Sequence, residues 1–142
     1  MPYGTLAGFR SYWTDRGNSA PTDADDADAN AALVRASDHI KYRYVANLIK
    51  GYDETLDVVE YATYEAALLE LSTVGFFSKT YTPAQQKVLT GVDKIRWTVT
   101  GDASNKYAQV PVSTLIEAMF EPYVRDLNDA QFRFMSIGPG TL

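Results

Sequence analysis

The densest run of potential ligands in this 142-residue chain is Asp23-Ala24-Asp25-Asp26-Ala27-Asp28-Ala29-Asn30. A calcium loop uses oxygen ligands at alternate positions, but it also needs glycine at position six and a bidentate glutamate at position twelve. Counted from Asp23, those positions hold Asp28 and Val34. The run is therefore expected to form the acidic first turns of a helix, where negative charge suits the macrodipole. The sole histidine, His39, follows Asp38. Adjacent helical residues do not face each other, so Ser37-Asp38-His39 is not a triad and His39 is expected to be structural or on the surface. There is no cysteine, which removes thiol nucleophiles, thiolate zinc sites and disulfides together. With one histidine, a site of several His ligands cannot form within one chain. Neither phosphate-cradling glycine motif nor a G-x-S-x-G elbow occurs. The expectation is a protein that works by binding, not an enzyme, with no cofactor and no metal.

Cations interleave with aromatics in one stretch: Arg35, Lys41, Arg43 and Lys50 with Tyr42 and Tyr44. Lys94, Arg96 and Trp97 repeat the mixture further on. Such a surface can stack single-stranded DNA. Against it stands an acidic balance, with 18 Asp+Glu, 13 Lys+Arg and a net charge of −5, whereas phosphate binding depends on Lys and Arg. Ten tyrosines and 13% aromatic residues fit an interaction protein, because Tyr is enriched at interfaces. The start MPYGTLAGFRSYW lacks the pattern of a signal peptide, and no run of apolar residues is long enough for a membrane helix.

The elements that must position these residues follow from periodicity. Leu6, Phe9 and Trp13 predict a short amphipathic helix over about 4–16, stopped at Gly17-Asn18. Leu33, Ser37, Ile40, Tyr44 and Leu48 recur at helical steps and predict a long helix over about 23–47, capped by Thr22, with Arg35, Lys41 and Arg43 off the apolar stripe. A second helix is expected over about 55–73, capped by Asp53 or Thr55 and ended near Gly75. Its apolar set is Val59, Ala62, Ala66, Leu69 and Thr73, with Glu60, Glu65 and Glu70 turned away. A short link makes the two helices natural antiparallel neighbours. Lys87–Thr90 and Asp93–Thr100 then read as strands about a turn at Thr90-Gly91-Val92-Asp93, with Ile95, Trp97 and Val99 on one face. Pro111 and Ser113-Thr114 open a last helix whose apolar side is Leu115 and Met119, with Ile116 and Phe120 close by, and Pro122 ends it. The alternating tail around Phe132–Ile137 either folds back on the chain's own hairpin or adds to the sheet edge of another subunit.

Four segments carry a resemblance: the opening MPYGT…FRSYWTDRGN, ALVRASDHIKYRY at 32–44, YEAALLELS at 64–72 and PVSTLIEAMFEPYV at 111–124. Together they span most of the chain, and the second is the most specific. The sequence resembles tailed-phage head–tail connector (adaptor, head-completion) proteins, of the group labelled putative DnaT-like single-stranded-DNA-binding proteins. Where that group often carries a Trp-Pro-Arg-like link between its first two helices, this chain has LIKGYDETLD.

The resemblance implies a mainly α fold: a small helical bundle with an inserted β-hairpin and an extended C-terminal tail, all in one domain over 1–142. The helical core would occupy about 4–75 and 111–124, the hairpin arm about 86–100 and the docking tail 125–142. It implies a homo-oligomeric ring, typically dodecameric, in the neck of the virion after synthesis in the host cytoplasm. Its partners would be its own copies, the portal protein and a tail terminator or head-closure protein. Genomic double-stranded DNA would pass through without specific binding, and no membrane is involved. Portal docking would fall to Pro122, Tyr123, Arg125, Phe132, Arg133, Phe134, Met135 and Ile137. The arm facing neighbours or the tail side would present Lys94, Ile95, Arg96, Trp97 and Val99. A channel should not grip a moving duplex, and the candidate lumen carboxylates are Asp23, Asp25, Asp26, Asp28, Glu60, Glu65 and Glu70. The alternative is a replication accessory that binds single-stranded DNA.

Overall fold

The computed structural model describes residues 1–78, 80, 91–92, 95–96 and 111–125. Its fold is mainly α. Helices α1 (Leu6–Thr14), α2 (Ala20–Asp23), α3 (Asp26–Arg43), α4 (Asp57–Ser72) and α5 (Thr114–Phe120) follow one another, with a 3₁₀ turn at Val45–Asn47. The most extensive helix–helix contact is between α3 and α4. The expected stripe on α3 is the buried one: Leu33, Ser37, Ile40 and Tyr44 all turn inward, joined by Ala29, Ala32 and Ala36. Opposite them lie Val59, Ala62, Ala66 and Ala67 of α4. The alanines let the two helices approach closely, and Phe9, Tyr64, Ile116 and Phe120 close the core from α1, α4 and α5.

Helix α1 begins where Thr5 caps it, its hydroxyl accepting from Gly8 N at 3.0 Å. It ends where expected, with Gly17 at φ +76° and Asn18 N bonded to Trp13 O at 2.9 Å. The long helix expected over 23–47 is instead three pieces. Ala24 and Asp25 adopt extended backbone between α2 and α3. Short aspartate side chains favour such breaks because they compete for backbone N–H groups. Asp25 caps α3 through Asp26 N, not Thr22, which lies inside α2. Arg10 fastens the break, donating to Pro21 O and Ala24 O at 2.9 Å and to Asp26 Oδ1 at 2.7 Å.

The start of α4 also differs. Asp53 accepts from Thr55 N and Thr55 Oγ1 in a turn ahead of the helix, and Leu56 stands at the cap without a side-chain bond. In α5, Ser113 caps through Ile116 N, but the buried side is Ile116 and Phe120, while Leu115 is 52% exposed. The apolar pairs Leu115-Ile116 and Met119-Phe120 left the facing ambiguous, and the fit of Phe120 against Tyr44 decides it. The backbone at Gly91–Val92 pairs antiparallel with Ile95–Arg96, in the register Gly91↔Arg96 and Val92↔Ile95. Gly91 and Val92 therefore belong to a paired strand and not to the turn. The rest of the expected arm over 86–100 and the tail beyond Arg125 lie outside the described residues.

Candidate functional site

The charged groups that the sequence set on the outside do not all stay there. Glu70 is 1% exposed, although it was expected to turn away from the core. Arg35 donates to it from Nε at 2.9 Å, Gly75 N at 2.9 Å and Phe77 N at 3.0 Å. A buried carboxylate is tolerated only when its lone pairs are met by a cation and further donors. Glu70 thus ties the turn after α4 to α3. Being sealed, it is withdrawn from the candidate channel carboxylates.

Arg43, also placed off the stripe, is 6% exposed. Its Nε and Nη2 donate to Glu117 Oε1 at 3.1 and 3.0 Å, and the Tyr44 hydroxyl donates to the same oxygen. Burial works against the charged guanidinium, but its bonds with Tyr44 and Glu117 outweigh that and hold its pKa above the usual arginine value. Burial first, then the bond to Glu117, pushes the Tyr44 phenol up. Tyr44 stacks on Phe120 with centroids 4.5 Å apart and planes 8° apart. This cluster clamps α5 to α3. The chain leaving α5 is then held by Ile49 N donating to Tyr123 O at 2.9 Å and by the Leu48↔Val124 bridge.

His39 lies between these two ion pairs. Arg35, His39 and Arg43 recur at four-residue steps and so share one face of α3. That ladder is visible in the sequence once the helix is granted. His39 stacks on Phe77 at 3.9 Å with planes 12° apart, and its Nε2 is buried without a hydrogen-bond partner among the described residues. Burial, then the charge of Arg43, lowers its pKa to about 4, against the opposing pull of Glu70 and Glu117. It is neutral and structural at pH 7. A cavity of about 420 Å³ opens beside it, lined by Arg35, Asp38, Tyr42, Arg43, Phe77 and Ser78 among others.

The remaining candidates fall into separate groups. Asp23, Asp25, Asp26, Asp28 and Glu60 are exposed, and Glu65 is half-buried, accepting from the Tyr12 hydroxyl at 2.7 Å. Burial and then that bond raise the Tyr12 phenol to about 12. Pro122 and Arg125 are exposed and Tyr123 is half-buried. Phe132, Arg133, Phe134, Met135 and Ile137 lie outside the described residues, as do Lys94, Trp97 and Val99. Ile95 and Arg96 are placed by their backbone alone. Among the described residues no cluster of His, Asp and Glu is arranged to hold a metal, and no helix is long and apolar enough to cross a membrane.

Set against protein-family models, curated proteins and solved structures, the chain finds no match.

Proposed function

We propose that this chain is a structural protein of a tailed-phage virion, forming a ring between the portal and the tail or head-closure proteins and extending the DNA channel. The observation that carries the reading is how the last described segment is fastened. Ile116 and Phe120 are buried in the core, Glu117 is gripped by Arg43, and Tyr123 and Val124 are pinned to Ile49 and Leu48. The backbone at Tyr123 and Val124 is therefore fixed to the helical body. That suits a C-terminal segment whose role is to reach another protein and become ordered there. The resemblance along 32–44 and 111–124 supports the same reading. In it, residues 125–142 dock on the portal, the segment around 86–100 contacts neighbours or the tail side, and the exposed Asp23–Asp28 group with Glu60 and Glu65 supplies the carboxylates toward the DNA.

The test is co-expression with the portal protein of the same genome, followed by electron microscopy of the purified rings. Extra density stacked on one end of the portal is the expected result. Removing residues 125–142 should leave a folded chain that no longer joins it. Bare portal rings beside a chain that binds single-stranded oligonucleotide, with affinity falling steeply with salt, would replace this reading with the replication-accessory one.

A further inference from the structure

The surroundings of His39 favour only the neutral form of its ring. It stands on α3 between Arg35 and Arg43, four residues from each. Its ring lies on Phe77 with centroids 3.9 Å apart and meets the Tyr44 ring edge-on at 5.8 Å. Nε2 is buried with no hydrogen-bond partner among the described residues. The charged groups that reach the ring come from three elements. Arg43, on its own helix, opposes a positive ring, while Glu70 of α4 and Glu117 of α5 favour one. Both carboxylates are already engaged. Glu70 accepts from Arg35, Gly75 N and Phe77 N, and Glu117 accepts from Arg43 and Tyr44. An unmet nitrogen on a neutral ring is a modest cost, whereas an unmet N–H on an imidazolium is a large one. Stacking a cation on Phe77 recovers part of it. The balance, led by burial and then by Arg43, is against the charge.

An exit lies next to the ring. His39, Phe77, Asp38 and Ser78 are among the residues that line the open cavity of about 420 Å³. Turned into it, a charged ring meets water, with the exposed Asp38 carboxylate on the wall. Phe77 is what the ring leaves behind. It is 7% exposed, and Glu70 holds its N–H at 3.0 Å in the turn that follows α4. Without the imidazole, one face of the Phe77 ring lies bare. The same proton that the stack refuses is thus the one that would undo it.

We propose that His39 is an acid-operated latch: on gaining a proton its ring leaves the Phe77 stack for the cavity, and the turn at 75–78 detaches from α3 while the α3–α4 pair stays folded. The inference does not rest on the ring reading. It needs only the stack, the engaged carboxylates and the cavity beside them.

The test is amide hydrogen exchange of the full chain at pH 7 and pH 5, corrected for the intrinsic dependence of exchange on pH. The reporters are the Gly75 and Phe77 N–H groups, both bonded to Glu70. The references are Ala36 and Ala66, in the buried middle of α3 and α4. A released ring titrates at its ordinary 6.5 and a stacked ring at about 4, so acid favours the open form. Linkage predicts roughly twentyfold more opening at pH 5 than at pH 7. Gly75 and Phe77 should lose protection by that factor, and at both pH values they should exchange faster than Ala36 and Ala66. His39→Phe keeps a ring on Phe77 and cannot take up a proton, so the pH dependence of the reporters should vanish. Protection at Gly75 and Phe77 that does not fall at pH 5, or that falls equally in His39→Phe, overturns the latch. Reporters that exchange in step with Ala36 and Ala66 mean that the chain opens only as a whole, and that overturns it as well.

Discussion

Two peripheral helices are fastened to the α3–α4 pair by different physics. Helix α1 is held by close approach. The Tyr64 ring of α4 lies against Gly4 and Gly8, where a Cβ would overlap it, and its hydroxyl accepts from Thr5 N at 3.1 Å while donating to Glu60 at 2.6 Å. Trp13 Nε1 reaches Tyr64 O at 3.0 Å, and Phe9 stacks on the same ring. Helix α5 is held by charge as well as by stacking, through Arg43, Tyr44, Glu117 and Phe120. The first attachment depends chiefly on shape, with the Glu60 and Glu65 carboxylates and the Arg10–Asp26 pair toward its solvent side. The second depends on a carboxylate keeping its charge beside a buried guanidinium. Removing a charged partner should therefore loosen the C-terminal attachment more than the N-terminal one, because exposed pairs contribute little and a broken buried pair costs several kcal/mol.

The largest expected effect breaks the charged side of this comparison. Glu117→Ala takes the carboxylate from Arg43 and should cost about 3 kcal/mol, the low end for a broken buried pair because Glu117 is itself partly open to solvent. At about 3 °C per kcal/mol for a chain of this size, the melting temperature should fall by about 9 °C. Glu117→Gln should recover part of the loss by keeping an acceptor oxygen. If both variants melt with the natural chain, the clamp contributes nothing and α5 is held by packing alone.

The next effect concerns His39, whose ring lies edge-on to Tyr44 of this clamp. The His39 pKa of about 4 lies below its ordinary 6.5. Between those values the unfolded chain binds a proton that the folded chain refuses, so stability falls as pH drops from 6.5 toward 4 and the effect levels off below that. A shift of that size corresponds to roughly 3 kcal/mol at most. The loss should be visible in denaturation midpoints across that window. His39→Phe should flatten this part of the profile, and an unchanged slope in the variant would place the titrating group elsewhere.

Much of the scaffold was legible in the sequence, and the reason is local. Leu33, Ser37, Ile40 and Tyr44 announce their helix by spacing alone, and Gly17 marks its turn because positive φ suits glycine. The site was less legible because its bonds join distant residues. Arg35 meets Glu70 across 35 positions and Arg43 meets Glu117 across 74. A period of 3.6 sets charged residues outside by default, and only the tertiary partner reverses that. One signal was present: Glu70 interrupts the apolar run Ala66-Ala67-Leu68-Leu69-Glu70-Leu71. The break at Ala24-Asp25 was hidden for another reason, since aspartates serve equally as first-turn residues and as caps.

The smaller effects probe the close-packed attachment of α1. Gly8→Ala places a methyl group against the Tyr64 hydroxyl, in a helix where alanine would otherwise be preferred. Overpacking of this kind costs about 1–3 kcal/mol, so the sign of the change separates crowding from propensity. A stabilised variant would mean that Tyr64 yields and that α1 is not held by close approach.

Tyr64→Phe is the finest cut. It keeps the ring against Phe9 and Tyr12 and removes only the hydroxyl. Thr5 N then loses its acceptor and Glu60 its donor, but both lie at the exposed side, where water can replace the missing partner. The expected loss is about 1 kcal/mol, near the net worth of a single hydrogen bond. The Glu117→Ala loss should be about three times larger, because it leaves the buried Arg43 guanidinium without its carboxylate. Measuring both variants side by side at pH 7 tests the contrast directly. If Tyr64→Phe costs as much as Glu117→Ala, then the bond to the Glu60 carboxylate matters to α1, and the two attachments are variations on one electrostatic design.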